Sequence, residues 1–281
     1  MPFRSIRRHW SPFGEIFEKV RGPEKGSSLL ITRSGKRLLL DFRRLLKSVS
    51  ITPGMPYSNV VFSHGLNPKF IGVGNHAQVF LFSSEQENSF RQRSLFSAKP
   101  VLPAAVIKVY HQNMPEGARL NGFGQFAAET AIYNFFKKQR ALPFSIRPLS
   151  YFFVSEKLTV RRFIRAPTIE ELQQALRPKA SRRVPLSLAL SDAEIDDFVK
   201  RFGVTESSIR QLLSHIGAVA SEGSRINFNF NPEMPIRTDL VTRNIFFLGR
   251  DSRGKPIVSI IDQGKRPLHG IMEKILQGKL F

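Results

Sequence analysis

Lys108 stands inside the apolar run Ala-Ala-Val-Ile-Lys-Val-Tyr (104–110), and Glu129 inside Gln-Phe-Ala-Ala-Glu-Thr-Ala-Ile (125–132). A lysine in such a run either turns its ammonium to solvent or points inward, where a buried cation is costly unless an anion meets it. Glu129 lies three residues before Ile132 and seven before Phe136, so on a helix its carboxylate shares their apolar stripe. A carboxylate so placed wants a cation, and Lys108 is the candidate partner. Further along come Asp239 and Asn244, in Arg-Thr-Asp-Leu-Val-Thr-Arg-Asn (237–244), and Asp262, in Ile-Ile-Asp-Gln-Gly (260–264). An Asp and an Asn five apart on one loop can address a single metal–phosphate site, and an Asp ending the adjacent strand can approach the same place. Their oxygens suit Mg²⁺, which binds through one or two carboxylates plus substrate phosphates. Finally, Gly72-Val73-Gly74-Asn75-His76-Ala77-Gln78-Val79 has strand-like flanks, so it reads as a strand-turn-strand hairpin and not as a glycine turn that opens a helix. Glycines there let backbone amides come close to phosphate oxygens.

The elements that hold these groups are read from periodicity and punctuation. From Phe70 the chain is strand-rich up to Ala-Ala-Val-Ile-Lys-Val-Tyr, with a polar stretch from about Ser83 to Lys99 expected as an exposed loop. Helical periodicity covers Gln125 to Arg140, and two short strands follow, Leu-Ser-Tyr-Phe-Phe-Val-Ser and Leu-Thr-Val-Arg-Arg-Phe-Ile, turning at Glu156-Lys157. Thr168 with Glu171, and Ser191 with Glu194, are capping boxes that open helices; Thr205 opens another, running to about Ala220. Asn-Ile-Phe-Phe-Leu-Gly and Pro-Ile-Val-Ser-Ile-Ile-Asp form a final hairpin across Arg-Asp-Ser-Arg-Gly-Lys. Strands, then helices, then a hairpin predict an α+β, two-lobed plan.

Residues 1–55 read as a basic N-terminal extension. They carry a hairpin signal, Ser-Leu-Leu-Ile-Thr-Arg-Ser-Gly-Lys-Arg-Leu-Leu-Leu-Asp-Phe, around Ser34-Gly35, then a helical tail from Asp41 to Ser48. The Pro/Gly cluster Ile-Thr-Pro-Gly-Met-Pro-Tyr-Ser-Asn marks the boundary, giving an N-lobe over 56–166 and a C-lobe over 167–281.

Composition narrows the classes. The 281 residues include 25 Phe and are 41% hydrophobic, enough for a packed core. Cys is absent, which rules out disulfides and thiolate metal sites, and the six His show no HExxH spacing. No apolar run is long enough for a membrane span, and the N-terminus lacks the apolar region of a classical export signal. The formal charge of +21, from 43 Lys and Arg against 22 Asp and Glu, favours an anionic partner: acidic protein, lipid headgroup, nucleic acid or nucleotide phosphate.

In motif order over about residues 70 to 265, the sequence resembles the protein-kinase-like superfamily. The resemblance implies ATP and Mg²⁺ as cofactors, and a glycine-rich loop at Gly72 and Gly74, with Ala77 replacing a third glycine and Val79 following it. It implies Lys108 as the lysine of the α- and β-phosphates, Glu129 as its helix partner and Asp239 as the catalytic-loop aspartate. Asn244 and Asp262 would be the metal ligands, and the adenine would be received near Phe163 to Pro167. Arg237-Thr238 replaces His-Arg, Gln263 replaces the Phe of D-F-G, and only Lys265 to Phe281 follows, too little for a standard activation segment. The pattern therefore resembles minimal bacterial kinases of the YrbL-like and secreted-effector types. It implies phosphoryl transfer to a hydroxyl acceptor, a protein Ser/Thr or a sugar or lipid-linked group, by a protein that is cytoplasmic or delivered to a host cell. A nucleotide-binding scaffold without turnover is the inactive version of the same fold. The competing class is nucleic-acid binding, because Asp196 to Leu213 reads as a helix-turn-helix with Gly203 at its turn. Glu206, at the start of its would-be recognition helix, repels phosphate.

Overall fold

The computed structural model describes residues 7–10, 16–21, 28–33, 49–52, 59–62, 68–74, 76–82, 105–111, 121–139, 141–182, 186–225 and 241–261. In chain order the strands are β1 (Arg7–Trp10), β2 (Ile16–Arg21), β3 (Ser28–Thr32), β4 (Val49–Thr52), β5 (Asn59–Phe62), β6 (Lys69–Val73), β7 (Ala77–Phe82), β8 (Ala105–Tyr110), β9 (Ser145–Ile146), β10 (Tyr151–Ser155), β11 (Leu158–Arg162), β12 (Ile245–Arg250) and β13 (Pro256–Ile260). The helices are α1 (Gly122–Lys138), α2 (Ile169–Ala175), α3 (Asp192–Phe202) and α4 (Glu206–Arg225). The fold is mixed α+β. It divides into two compact units: Met1–Phe126 with Ser150–Phe163 and Arg266–Phe281, and Ala127–Leu149 with Ile164–Lys265.

The first unit is built on an eight-stranded antiparallel sheet in the order β1-β2-β3-β10-β11-β8-β7-β6. Strand alternation sorts its residues between two faces. Leu29, Ile31, Phe80, Phe82, Ala105, Ile107, Val109, Leu158 and Val160 form a buried apolar cluster on one face, covered by Val49, Ile51, Val60 and Phe62 of the β4–β5 hairpin. The intervening residues of the same strands, Lys108 among them, take the other face. There Phe126, in the first turns of α1, packs edge-on against Phe17 and Tyr151, with ring centroids 5.0 and 5.2 Å apart.

Two expectations are revised in this unit. The strand Ser28–Thr32 forms, but β2 and β10 flank it on both sides, so the hairpin across Ser34-Gly35 is not the pairing it makes. Helix α1 begins at Gly122 instead of Gln125 because Asn121 caps it. The Asn121 side-chain oxygen accepts the Gly124 amide at 2.8 Å, and its carbonyl accepts the Gln125 amide at 3.0 Å. Of the Pro/Gly cluster 51–59 only Ile51, Thr52 and Asn59 are among the described residues, and Thr52 of β4 pairs with Asn59 of β5. The polar stretch 83–99, the run 37–42 and the helical tail 41–48 lie outside the described residues.

In the second unit both capping boxes form. Thr168 Oγ1 accepts the Glu171 amide while a Glu171 carboxylate oxygen accepts the Thr168 amide, and Ser191 and Glu194 do the same. Helix α3 ends at Gly203 in the left-handed conformation (φ 57°), which a side chain would disfavour. Thr205 and Ser208 exchange side-chain-to-amide bonds and open α4, which runs past Ala220 to Arg225. The apolar stripe of α4 is buried at Ile209, Leu212 and Ile216. The β12–β13 hairpin pairs with the short β9 to make a three-stranded sheet. Phe198, Phe202 and Phe247 cluster against it, and Gly249, at a β-bulge with φ 116°, leaves room for the Phe202 ring.

Candidate phosphate and metal-binding residues

The glycine segment is a strand-turn-strand hairpin: β6 and β7 pair antiparallel, with a bulge between Phe70 and Gly72. Its turn is closed by the Gly74 amide donating to the Ala77 carbonyl at 2.9 Å. A ring nitrogen of His111, Nε2, lies 3.1 Å from the Gly74 carbonyl. A carbonyl only accepts, so Nε2 carries the proton in that bond. The His111 amide in turn donates to the His76 carbonyl at 2.8 Å, so the end of the lysine strand holds the turn from both sides. Asn75 lies outside the described residues.

Lys108 takes the inward option. It is 6% exposed, on the sheet face opposite the apolar cluster. Register places it in one row across four strands: Gly72 opposite Val79, Val79 opposite Lys108, and Lys108 opposite Thr159. Cα partners in antiparallel strands present their side chains to the same face. The next row pairs Ala77 with Tyr110, and the Lys108 ammonium lies 5.7 Å from the centre of the Tyr110 ring. The hairpin residues Gly72, Ala77 and Val79 and the buried lysine thus share one face of one sheet. Several polar residues on and around this face were not picked out from the sequence: Tyr110, Thr159, Arg161 and Gln125 are all buried there. The available signals were Tyr110 two residues after Lys108 on a strand, and Gln125 four residues before Glu129 on a helix.

Glu129 is 4% exposed on α1, among buried Phe126, Ile132 and Phe136, as its spacing requires. The division between the units falls within α1, after Phe126, so Lys108 belongs to the first unit and Glu129 to the second.

Asn244 is buried at the end of a 3-10 turn, Thr242–Asn244, that leads into β12. Its amide donates to the Val241 carbonyl at 2.9 Å, and its carbonyl accepts the Ile261 amide at 2.8 Å. The start of β12 and the end of β13 are therefore fastened together at residues 244 and 261. The hairpin's far end is held by Asp251, whose carboxylate accepts the Arg253 and Lys255 amides, both at 2.9 Å. Burial pushes that carboxyl upward, but the two amides, the Ser145 hydroxyl and the Lys255 ammonium outweigh it and bring it below its ordinary value. Asp239 and Asp262 lie outside the described residues, as does the Ile-Asn-Phe-Asn-Phe run. Among the described residues no three His, Asp or Glu side chains converge as a metal site, and no helix is long and apolar enough to cross a membrane.

The segment Phe163 to Pro167 is an irregular connection whose end is tied to the final hairpin: the Phe247 amide donates to the Pro167 carbonyl at 3.0 Å, and Thr168 bridges to Phe246. No family model and no curated protein matches the chain.

Proposed function

We propose that the chain is a minimal kinase of two-lobed, protein-kinase-like fold that transfers the γ-phosphoryl group of ATP to a hydroxyl acceptor, most simply a protein Ser or Thr. The observation that carries this reading is the buried ammonium of Lys108 in one cross-strand row with Gly72 and Val79 of the glycine hairpin. A buried cation beside a backbone turn with no Cβ at Gly72 or Gly74 suits the phosphates of a nucleotide. A hairpin can cover phosphates held by a strand lysine only if it lies alongside that strand, and here β7, one arm of the hairpin, pairs with β8.

In this reading Lys108 and the amides of the glycine turn orient the triphosphate, and Glu129 has the part of the helix carboxylate that the kinase resemblance assigns it. Asn244 and Asp262 would hold Mg²⁺, to which Asn244 offers a side-chain oxygen. Mg²⁺, when bound, neutralises charge on the phosphates. Asp239 accepts the proton of the attacking hydroxyl as the acceptor oxygen displaces ADP in line. Little covalent chemistry falls to the protein, so the rate comes from positioning and charge neutralisation.

The test is thermal stabilisation by ATP with Mg²⁺, compared between the native protein and Lys108→Ala, followed by transfer of label from γ- or α-labelled ATP. Stabilisation that Lys108→Ala abolishes, with γ-label transfer that Asp239→Ala abolishes, supports the reading. Transfer of α-label instead would make the protein an AMP transferase, binding without transfer would make it a scaffold, and an Asp239→Ala protein with full turnover would refute the role given to that residue.

A further inference from the structure

Tyr110 contacts Lys108 through its ring and Gln125, near the start of α1, through its hydroxyl. It is fully buried on β8, two residues beyond Lys108 and on the same face. Its ring lies under the Lys108 ammonium at 5.7 Å, within the range where the negative ring face attracts a cation. Its hydroxyl donates to Gln125 Oε1 at 2.6 Å and lies 3.4 Å from Thr159 Oγ1, the hydroxyl of the residue opposite Lys108 on β11. Gln125 is 1% exposed, in the first turns of α1, where Asn121 caps the helix and Gly122 donates its amide to the Glu156 carbonyl at 3.0 Å.

Gln125 and Glu129 are four residues apart and so share one helix stripe. Fixing Gln125 fixes the rotation of the start of α1 about its axis. A phenol that holds the helix through its oxygen and the lysine through its ring ties the two settings together. We propose that Tyr110 is a positioning residue: its ring places the Lys108 ammonium, and its hydroxyl, through Gln125, sets the rotation of α1. The proposal rests on the phosphotransfer reading for its functional consequence and on the two Tyr110 contacts for its structure.

The two contacts are separable by mutation. Tyr110→Phe keeps the ring and removes the hydroxyl; Tyr110→Leu removes both; Gln125→Leu removes the acceptor. Three measurements on the full-length protein suffice: acylation of Lys108 by acetic anhydride, read by mass spectrometry; hydrogen exchange of the amides at 124–126; and the Kd for Mg-ATP. Expected are severalfold faster acylation in Tyr110→Leu but a rate within twofold of native in Tyr110→Phe. Both variants should exchange the α1 amides at least tenfold faster, and Tyr110→Phe with Gln125→Leu should exchange no faster than either alone, because the two remove one bond. Mg-ATP should bind severalfold more weakly to Tyr110→Leu than to Tyr110→Phe. Equal acylation in all three proteins, or additive exchange in the double variant, would overturn the proposal, and Tyr110→Phe supplies the exchange test if Tyr110→Leu does not fold. Acetic anhydride needs no nucleotide site. A native protein that ignores Mg-ATP while acylation and exchange behave as stated refutes the phosphotransfer reading alone; the reverse pattern refutes the positioning role alone.

Discussion

Replacing Gly122 by Ala sets two effects of opposite sign against each other at the start of the helix that carries Glu129. In a helix interior Gly→Ala is favourable by about 1 kcal/mol, since alanine has less backbone freedom to lose, and at the first helical position the gain is smaller. Against this, a Cβ at Gly122 would run into the Ser155 carbonyl oxygen and stand 2.9 Å from Thr159 Cγ2. The obstruction is backbone of the β10–β11 turn, itself held by Ser155 Oγ bonding Leu158, so no flexible side chain end can yield. Overpacking of a fixed neighbour costs about 1–3 kcal/mol, which leaves a net destabilisation of roughly 1–2 kcal/mol. Gly217 on α4 is the control: it is exposed, and a Cβ there meets nothing within 4 Å, so Gly217→Ala should stabilise by about 0.5–1 kcal/mol. Urea unfolding of the three proteins, followed by circular dichroism, reads both values, and near 2–4 °C per kcal/mol the melting temperatures should move in opposite directions. A Gly122→Ala protein as stable as native would show that α1 does not rest on the β10–β11 turn at that closeness.

Gly249→Ala combines a positive φ of 116° with a Cβ 2.8 Å from two Phe202 ring carbons, and should destabilise by about 2–4 kcal/mol in the same urea assay; a loss below about 0.5 kcal/mol would refute the packing described for the aromatic cluster. Ser259 is 1% exposed and its hydroxyl has no hydrogen-bond partner among the described residues, so Ser259→Ala should be neutral or stabilising by up to about 1 kcal/mol, and clear destabilisation would reveal a bond to that oxygen. The Glu194 carboxyl is lowered from 4.5 to about 2, first by the Arg165 guanidinium at 2.6 Å and then by the Ser191 amide and hydroxyl. A carboxyl depressed in the folded state stabilises above its unfolded value, so this contribution is present above pH 4.5 and is lost as pH falls toward 2. The group is well exposed, which keeps the effect below about 1 kcal/mol. Glu194→Gln should flatten that part of the stability profile in a pH series of melts, and an unchanged profile would refute the assignment.

How far the sequence discloses the structure depends on whether a signal is local. The capping boxes at Thr168 and Ser191 are complete within four residues, and both form as expected. The β10–β11 turn at Glu156-Lys157 and the β12–β13 hairpin also form, because each is a short pairing between neighbours in the chain. The burial of Glu129 follows from its place on an apolar stripe, and needs only the helix to be present. Lys108 is a harder case: alternation with Ile107 and Val109 puts its side chain on the opposite face but leaves undecided whether that face is wet. Residues distant in sequence decide it: Thr159 of β11 stands beside Lys108, and Gln125 at the start of α1 bonds Tyr110 on the same face. The start of α1 was missed because Gly122 and Gly124 disguise a helix whose cap is Asn121.

The N-terminal strands show the other kind of misreading. Ser28–Thr32 reads as half of a local hairpin because a second apolar run stands just beyond Ser34-Gly35. In the fold its partners are β2, from earlier in the chain, and β10, more than a hundred residues later. Nothing local specifies a pairing at that separation; it is selected by burial. Leu30 and Ile31 are almost wholly buried, Ile31 in the same apolar cluster as Ile107 and Val109. Thr32 adds a long bond to the Phe152 carbonyl at 3.4 Å. These strands therefore extend the sheet that carries Lys108, and cover an edge of β10 that would otherwise present unpaired backbone groups. A basic composition suggests an appended tail, yet the apolar residues between the arginines are part of the core beneath the candidate site.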